Sequence, residues 1–190
     1  MAHLQKGLEE SIKSAVAELS EKEKRQDAVL SLQRECIRHC ANAIKEMHAG
    51  KIAEARKNVE AAQKIAGEMR KSDASLQNIS EQAYQEVVEA ACMLAVSQGK
   101  ALPSQKQLGV STVAYLNGVA DLVGELRRNL QVCLMNGEKT KAQELYALMH
   151  EVYEQLFTIK FSSSLVGGLR RKVDVARGQL ESARSELLRS

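Results

Sequence analysis

The chain has 190 residues, with 27 Lys and Arg against 24 Asp and Glu, a net charge of +3, a single Pro and no Trp. That length suits one domain over residues 1–190 with a substantial core, and so mild a charge excludes a strongly basic DNA-binding module. Good helix formers dominate and no alternating β-branched segment bounded by turn residues occurs, so a sheet protein is excluded and an all-α chain is expected.

The first helix is predicted from about Ala2 to Met47. Leu4, Leu8, Ile12, Ala15 and Leu19 recur every three or four residues, the period of an amphipathic helix. The stripe lapses across SEKEKRQD, Ser20 to Asp27, and resumes at Val29, Leu32, Cys36, Cys40, Ile44 and Met47. A helix this long cannot bury its whole length in one small domain. Its outer part is expected to meet another subunit, or its charged stretch to stand exposed. Gly50 lies where a C-terminal cap belongs.

A second helix is predicted over about Ile52 to Arg70, followed by a loop at KSDAS, residues 71–75. A third runs from about Leu76 to Ser97, ended by Gly99, and Pro103 opens a short turn or helix. Ser111 or Thr112 is the N-cap of a fourth, Val113 to Met135, closed by Asn136-Gly137. A fifth spans Glu138 to Thr158, and a sixth Leu165 to Leu188. The expected architecture is a single-domain antiparallel bundle of about six or seven helices with a long N-terminal helix.

The first residues, MAHLQKGLEES, lack the apolar core of a signal peptide. No run of about twenty apolar residues occurs, so no membrane span or membrane partner is expected, and the expected location is cytoplasmic. Cys36, Cys40, Cys92 and Cys133 lie inside helical patterns without a CxxC framework and are expected to be packed free thiols. Cys36, His39 and Cys40 resemble half a zinc site, but no second cluster completes four ligands. His3, His48 and His150 are scattered and are expected at the surface or partly packed.

Two segments break the binary pattern in the same way. Glu86 and Glu89 lie three apart within QEVVEAACM, and Asp121 and Glu125 lie four apart within GVADLVGEL. Each pair shares a helix face. Met93 and Val96 continue the first face, and Ala114 and Gly118 the second, so the acids sit beside residues that should be partly buried. Burying like charges together is costly, and a cation is the usual compensation. Two such helices brought together would make an all-oxygen site, which suits Mg²⁺ or Mn²⁺ better than zinc or copper. A di-iron site wants Glu-x-x-His repeats, and position 92 is Cys. The alternative is ordinary surface acids paired with Arg127, Arg128 or lysines.

Basic residues are less concentrated. Lys22, Lys24 and Arg25 are diluted by Glu21 and Glu23, which is the pattern of a solvated face, the alternative being a patch for a phosphate backbone. Arg34 and Arg38 are four apart and share a face. Arg170, Arg171 and Lys172 form the cleanest basic cluster, suited to phosphate contact. Arg128 lies two turns beyond Asp121, placed either to hold a phosphate oxygen or to form a salt bridge. Six aromatics in all argue against a base-stacking platform. Tyr146, Tyr153 and Phe157 fall at helical spacing and are expected in a core or interface.

The segment Tyr115 to Arg128, YLNGVADLVGELRR, closely resembles the YLxGVADLxGELxR signature of TRAX, the translin-associated subunit. Gln85 to Ala90 resembles its QEYVEA segment, and Leu169 to Asp174 is similar to the LRxxxD region of translin and TRAX. The resemblance runs from about residue 20 onward. It implies an α-helical protein that assembles into a hollow closed shell, an octamer in the family. It also implies binding of single-stranded RNA and DNA. TRAX-type subunits cleave RNA with Mg²⁺ held by acidic residues, which match Glu86, Glu89, Asp121 and Glu125 here. Translin-type subunits carry instead a basic, His-containing segment where this chain has Asn78 to Tyr84, without basic residues. The chain therefore looks TRAX-like. It lacks the longer insertion and tails of the larger TRAX proteins, so a compact, archaeal-type homologue that assembles with itself is expected.

Together these readings point to a metal-dependent endoribonuclease acting on single-stranded RNA. An ion at the acids would activate water and neutralise charge on the scissile phosphate. The competing readings are a non-catalytic shell that binds single-stranded RNA or DNA, which would need no metal, and a helical scaffold with no nucleic-acid role.

Overall fold

The computed structural model describes the backbone of residues 2–72 and 77–189, and side chains over 7–71 and 79–189. Within these bounds the chain is all-α. Its elements are α1 (Ala2–His48), α2 (Ile52–Ser72), α3 (Gln77–Ser97), the single turn α4 (Gln105–Leu108), α5 (Thr112–Met135), α6 (Lys139–Phe157), the single turn α7 (Ser163–Val166) and α8 (Leu169–Arg189). Lys71 and Ser72, expected in a loop, are the end of α2; the rest of that expected loop, and the side chains of His3 and Leu4, lie outside the described residues.

The boundaries follow local chemistry. Ser104 and Gln107 form a reciprocal capping box that starts α4. Ser111 caps α5 by accepting from the Ala114 N–H at 2.9 Å. The expected sixth helix is instead broken. Gly167 takes φ 59°, a left-handed value that glycine adopts without strain. The break lets the chain turn between α7 and α8, and Asn117 holds it there. That buried amide donates to Val113 O at 2.9 Å and to Val166 O at 3.0 Å.

One hydrophobic cluster draws residues from α1, α2, α3, α5, α6, α7 and α8. Leu122, Leu126 and Leu130 are fully buried at four-residue spacing on α5, each contributing about 2 kcal/mol by removal from water. Leu169, Ala176, Leu180 and Ala183 supply the inward face of α8. The four cysteines are free and buried, as small apolar side chains. Cys36 Sγ donates to Ala62 O and His39 pairs with Asn58, so these residues turn to α2 and form no zinc half-site.

Helix direction is what places the acids. The α1–α2 and α5–α6 pairs are tight antiparallel hairpins. Across the long α3–α5 connection the direction is the same: Glu81 meets Ser111, and Gln85 and Val88 meet Gly118. The α5–α8 contacts advance together too, from Asp121–Lys172 to Arg127–Glu186. Helices α3, α5 and α8 therefore run side by side in one direction, and equivalent heights on them coincide.

The first part of α1 departs from the bundle. Every described residue from 7 to 28 is exposed, and Val29 is the first buried one. Leu8, Ile12, Val16 and Leu19 stand out on this overhang, each more than half exposed. No helix among the described residues is long and apolar enough to cross a membrane.

Candidate acidic site

Glycine at position 118 makes the site. A Cβ there would lie 2.5 Å from Gln85 O and 2.7 Å from Val88 Cβ, closer than packed atoms allow. Helix α5 therefore lies directly against α3. Just beyond that crossing, α3 presents Glu86 and Glu89 and α5 presents Asp121 and Glu125. All four are half-buried.

The four acids lie within electrostatic reach of one another. Burial pushes the Glu89 carboxyl up to about 8, reinforced by Glu86, Asp121 and Glu125 and opposed by Lys172. Burial also raises Glu86, followed by repulsion from Asp121, with Lys172 again opposing. Carboxylates pushed up this way are held in a poorly solvated, negatively charged environment.

Two basic side chains close on the α5 acids. Lys172, from the first turn of α8, binds Asp121 Oδ2 and also donates to Gln85 Oε1 at 2.8 Å and Asn117 O at 3.4 Å. His48, the last residue of α1, lies with Nε2 2.5 Å from Glu125 Oε2. Its side chain is only 8% exposed, and its Nδ1 is buried without a hydrogen-bond partner among the described residues. The sequence predicts His48 only as a surface or partly packed residue, with no role in the acidic site. The available signal was its position: Ile37, Ile44 and His48 continue one flank of α1 at helical spacing.

The remaining candidates fall outside this contact set. Arg128 is 60% exposed and reaches Glu125 only at 4.0 Å. Arg170 and Arg171 are exposed at the start of α8, where the helix dipole adds positive potential. Arg127, a potential partner for the acids, pairs instead with Glu186 at 2.6 Å. Tyr146 and Tyr153 pack on the core, while Phe157 remains 46% exposed. A larger apolar concavity of about 770 Å³, lined by residues such as Leu102, Tyr115, Leu148 and Ile159, contains none of the four acids.

With side chains so placed, no group of three or more His, Cys, Asp or Glu among the described residues is arranged to hold a metal ion. The four carboxylates are nevertheless oxygen donors of the kind a hard divalent cation takes, with the buried Cys36 and Cys40 thiols within electrostatic reach of Glu86. The Lys172 ammonium, bound by Asp121 among the four, shows that a positive charge is accommodated at this edge of the cluster.

The architecture defines an all-α bundle of the C3PO type. AfC3PO is similar at 35% identity and a TM-score of 0.83, with 93% of this chain and 95% of that one covered. A structure described as an AfC3PO–duplex RNA complex is similar at 32% identity and a TM-score of 0.83, covering 93% and 94%. Apo-NeC3PO, at 22% identity, 93% and 95% coverage and a TM-score of 0.84, shows the same fold. An uncharacterised protein of Methanocaldococcus jannaschii is 28% identical over 177 residues, 90% of this chain and 78% of that protein. No family model matches the sequence. On the strength of the AfC3PO likeness, the chain belongs to the translin/TRAX family.

Proposed function

We propose that the chain is a TRAX-type endoribonuclease subunit that cleaves RNA with Mg²⁺ or Mn²⁺ bound at Glu86, Glu89, Asp121 and Glu125. The observation that carries this reading is the junction of two half-buried carboxylate pairs where Gly118 lets α5 touch α3. Four acids in one poorly solvated place are costly unless a cation joins them. Such an ion would neutralise charge on the scissile phosphate and lower the pKa of the attacking water.

The chain's own residues supply the rest. Glu86 and Glu89 have no hydrogen-bond or ion-pair partner among the described residues, so their oxygens are available as ligands. His48 fixes the direction of Glu125. Arg128, Arg170 and Arg171 are exposed cations suited to backbone phosphates. The AfC3PO complex with duplex RNA supports RNA as the ligand class; the TRAX resemblance favours single strands as substrate. The apolar stripe of the α1 overhang supports self-association into a closed shell, because it is exposed and covers nothing among the described residues.

A second reading is a non-catalytic RNA-binding subunit. Its support is that Asp121 and Glu125 already have partners in Lys172 and His48. Labelled single-stranded and duplex RNA, incubated with Mg²⁺, Mn²⁺ or EDTA, separate the two. Cleavage that disappears in EDTA and in Glu89→Gln and Asp121→Asn proteins, with circular dichroism unchanged, is the expected result. Salt-sensitive RNA binding without cleavage under every metal condition would instead establish the second reading.

A further inference from the structure

Lys172 occupies an unusual place for a lysine. It lies in the first turn of α8, a turn without an acidic residue, where the helix dipole disfavours a cation. Its neighbours Arg170 and Arg171 are exposed, whereas its own side chain is 21% exposed and turned inward. Leu169, Ala176 and Leu180 set the buried face of α8, and Lys172 flanks that face on the side of α5. Its ammonium is then held by a carboxylate oxygen of Asp121, the amide oxygen of Gln85 and the carbonyl of Asn117. Three oxygens from two helices surround one positive charge. Among the described residues, Lys172 is also the cation that opposes the mutual repulsion of Glu86 and Glu89 with their acidic neighbours.

We propose that Lys172 is a built-in counter-cation of the acidic site, offsetting Glu86, Glu89 and Asp121 without metal and giving up Asp121 when a divalent ion binds. This rests on the metal-site reading above. The ammonium and the ion draw on the same Asp121 carboxylate, so they compete for its negative charge. Lys172 has a flexible four-carbon stem, and on release its charge joins Arg170 and Arg171 at the start of α8. A backbone phosphate of RNA is the natural new partner for a lysine so placed. Loading of the ion and of RNA are thereby coupled, since RNA stabilises the released lysine and the released lysine frees the ion's ligand.

The test is a calorimetric Mn²⁺ titration of the intact protein without RNA, comparing wild type with Lys172→Met, Lys172→Gln, Lys172→Arg and Asp121→Asn. Removing the competing charge is expected to tighten Mn²⁺ binding by about tenfold in both neutral variants. Lys172→Arg keeps the charge and is expected to stay near wild type, and Asp121→Asn to lose the binding. Thermal melts provide a second readout. Without metal the neutral variants should melt below wild type, and Mn²⁺ should raise their midpoints by more than it raises that of wild type. If wild type binds Mn²⁺ through Asp121 and neither neutral variant binds more tightly, the counter-cation role is overturned while the metal site stands. If neither wild type nor either neutral variant binds Mn²⁺, both fall together.

Discussion

The two parts of α1 share one helix and one apolar period but differ in what they touch. From Val29 onward the stripe is covered: Val29, Cys36, Cys40, Ala43 and Met47 are all buried, and His48 ends the helix against Glu125. From residue 7 to 28 the same kind of stripe covers nothing among the described residues, and Leu8, Ile12, Val16 and Leu19 face outward. Periodicity therefore establishes that a helix has an apolar face, while the partner of that face is decided by length. A 47-residue helix is about 70 Å long, well beyond the reach of the 21- and 24-residue helices that could pack beside it.

The sharpest way to break this contrast is to truncate one side chain in each part. Met47→Ala removes a buried thioether chain and is expected to cost about 2–5 kcal/mol in urea unfolding. Leu19→Ala, measured at a concentration where subunits are dissociated, is expected to change stability by less than about 0.5 kcal/mol. A comparable loss at both positions would mean that the overhang folds back on its own bundle.

A second prediction concerns the acids that only the covered part of α1 adjoins. The Glu89 carboxyl rises from 4.5 to about 8 on folding. Between those values the folded state holds a proton that the unfolded state has released. Stability is therefore greatest at low pH in this window, falls as pH rises, and levels off above about 8. In EDTA the wild-type melting midpoint is expected to drop between pH 5 and 8.5 by an amount on the order of 10 °C attributable to Glu89. Glu89→Gln should remove that part of the slope. An unchanged slope in the variant would show that Glu89 is solvated, and the cost of gathering the four acids would have to be much smaller.

The same contrast explains what was legible in the sequence. The long helices were visible because period, caps and glycines agree along most of the chain, and Ser111 caps α5 where a cap was expected. The acids were visible because Glu86, Glu89, Asp121 and Glu125 interrupt apolar runs that nothing else interrupts. Three features depend on direction in space and left weaker marks. Helices α3, α5 and α8 run alike because the connections between them are long, and hydrophobic period carries no sign of direction. Lys172 belonged by sequence to one basic cluster with Arg170 and Arg171, yet the break at Gly167 turns it alone toward Asp121. His48 gains its partner 77 residues away, a distance no local pattern spans.

The smallest expected change in subunit stability should accompany the largest change in assembly. Ile12→Glu with Leu19→Glu places charges on positions already 55% and 62% exposed, so the dissociated chain should unfold within about 0.5 kcal/mol of wild type. If the overhang stripe is the contact between copies, sedimentation velocity should show the variant at the mass of a smaller species across micromolar concentrations. RNA cleavage by that species then discriminates further. The four acids, Lys172 and His48 all come from one chain, so chemistry should survive in the dissociated subunit. RNA affinity should weaken, because fewer phosphates would be neutralised at once and the salt dependence would become shallower. A variant that keeps its full mass would move the contact to another exposed apolar surface, such as that around Phe157, Phe161 and Leu165. A variant that dissociates and loses all cleavage would mean that the acidic site depends on a neighbouring copy for its geometry.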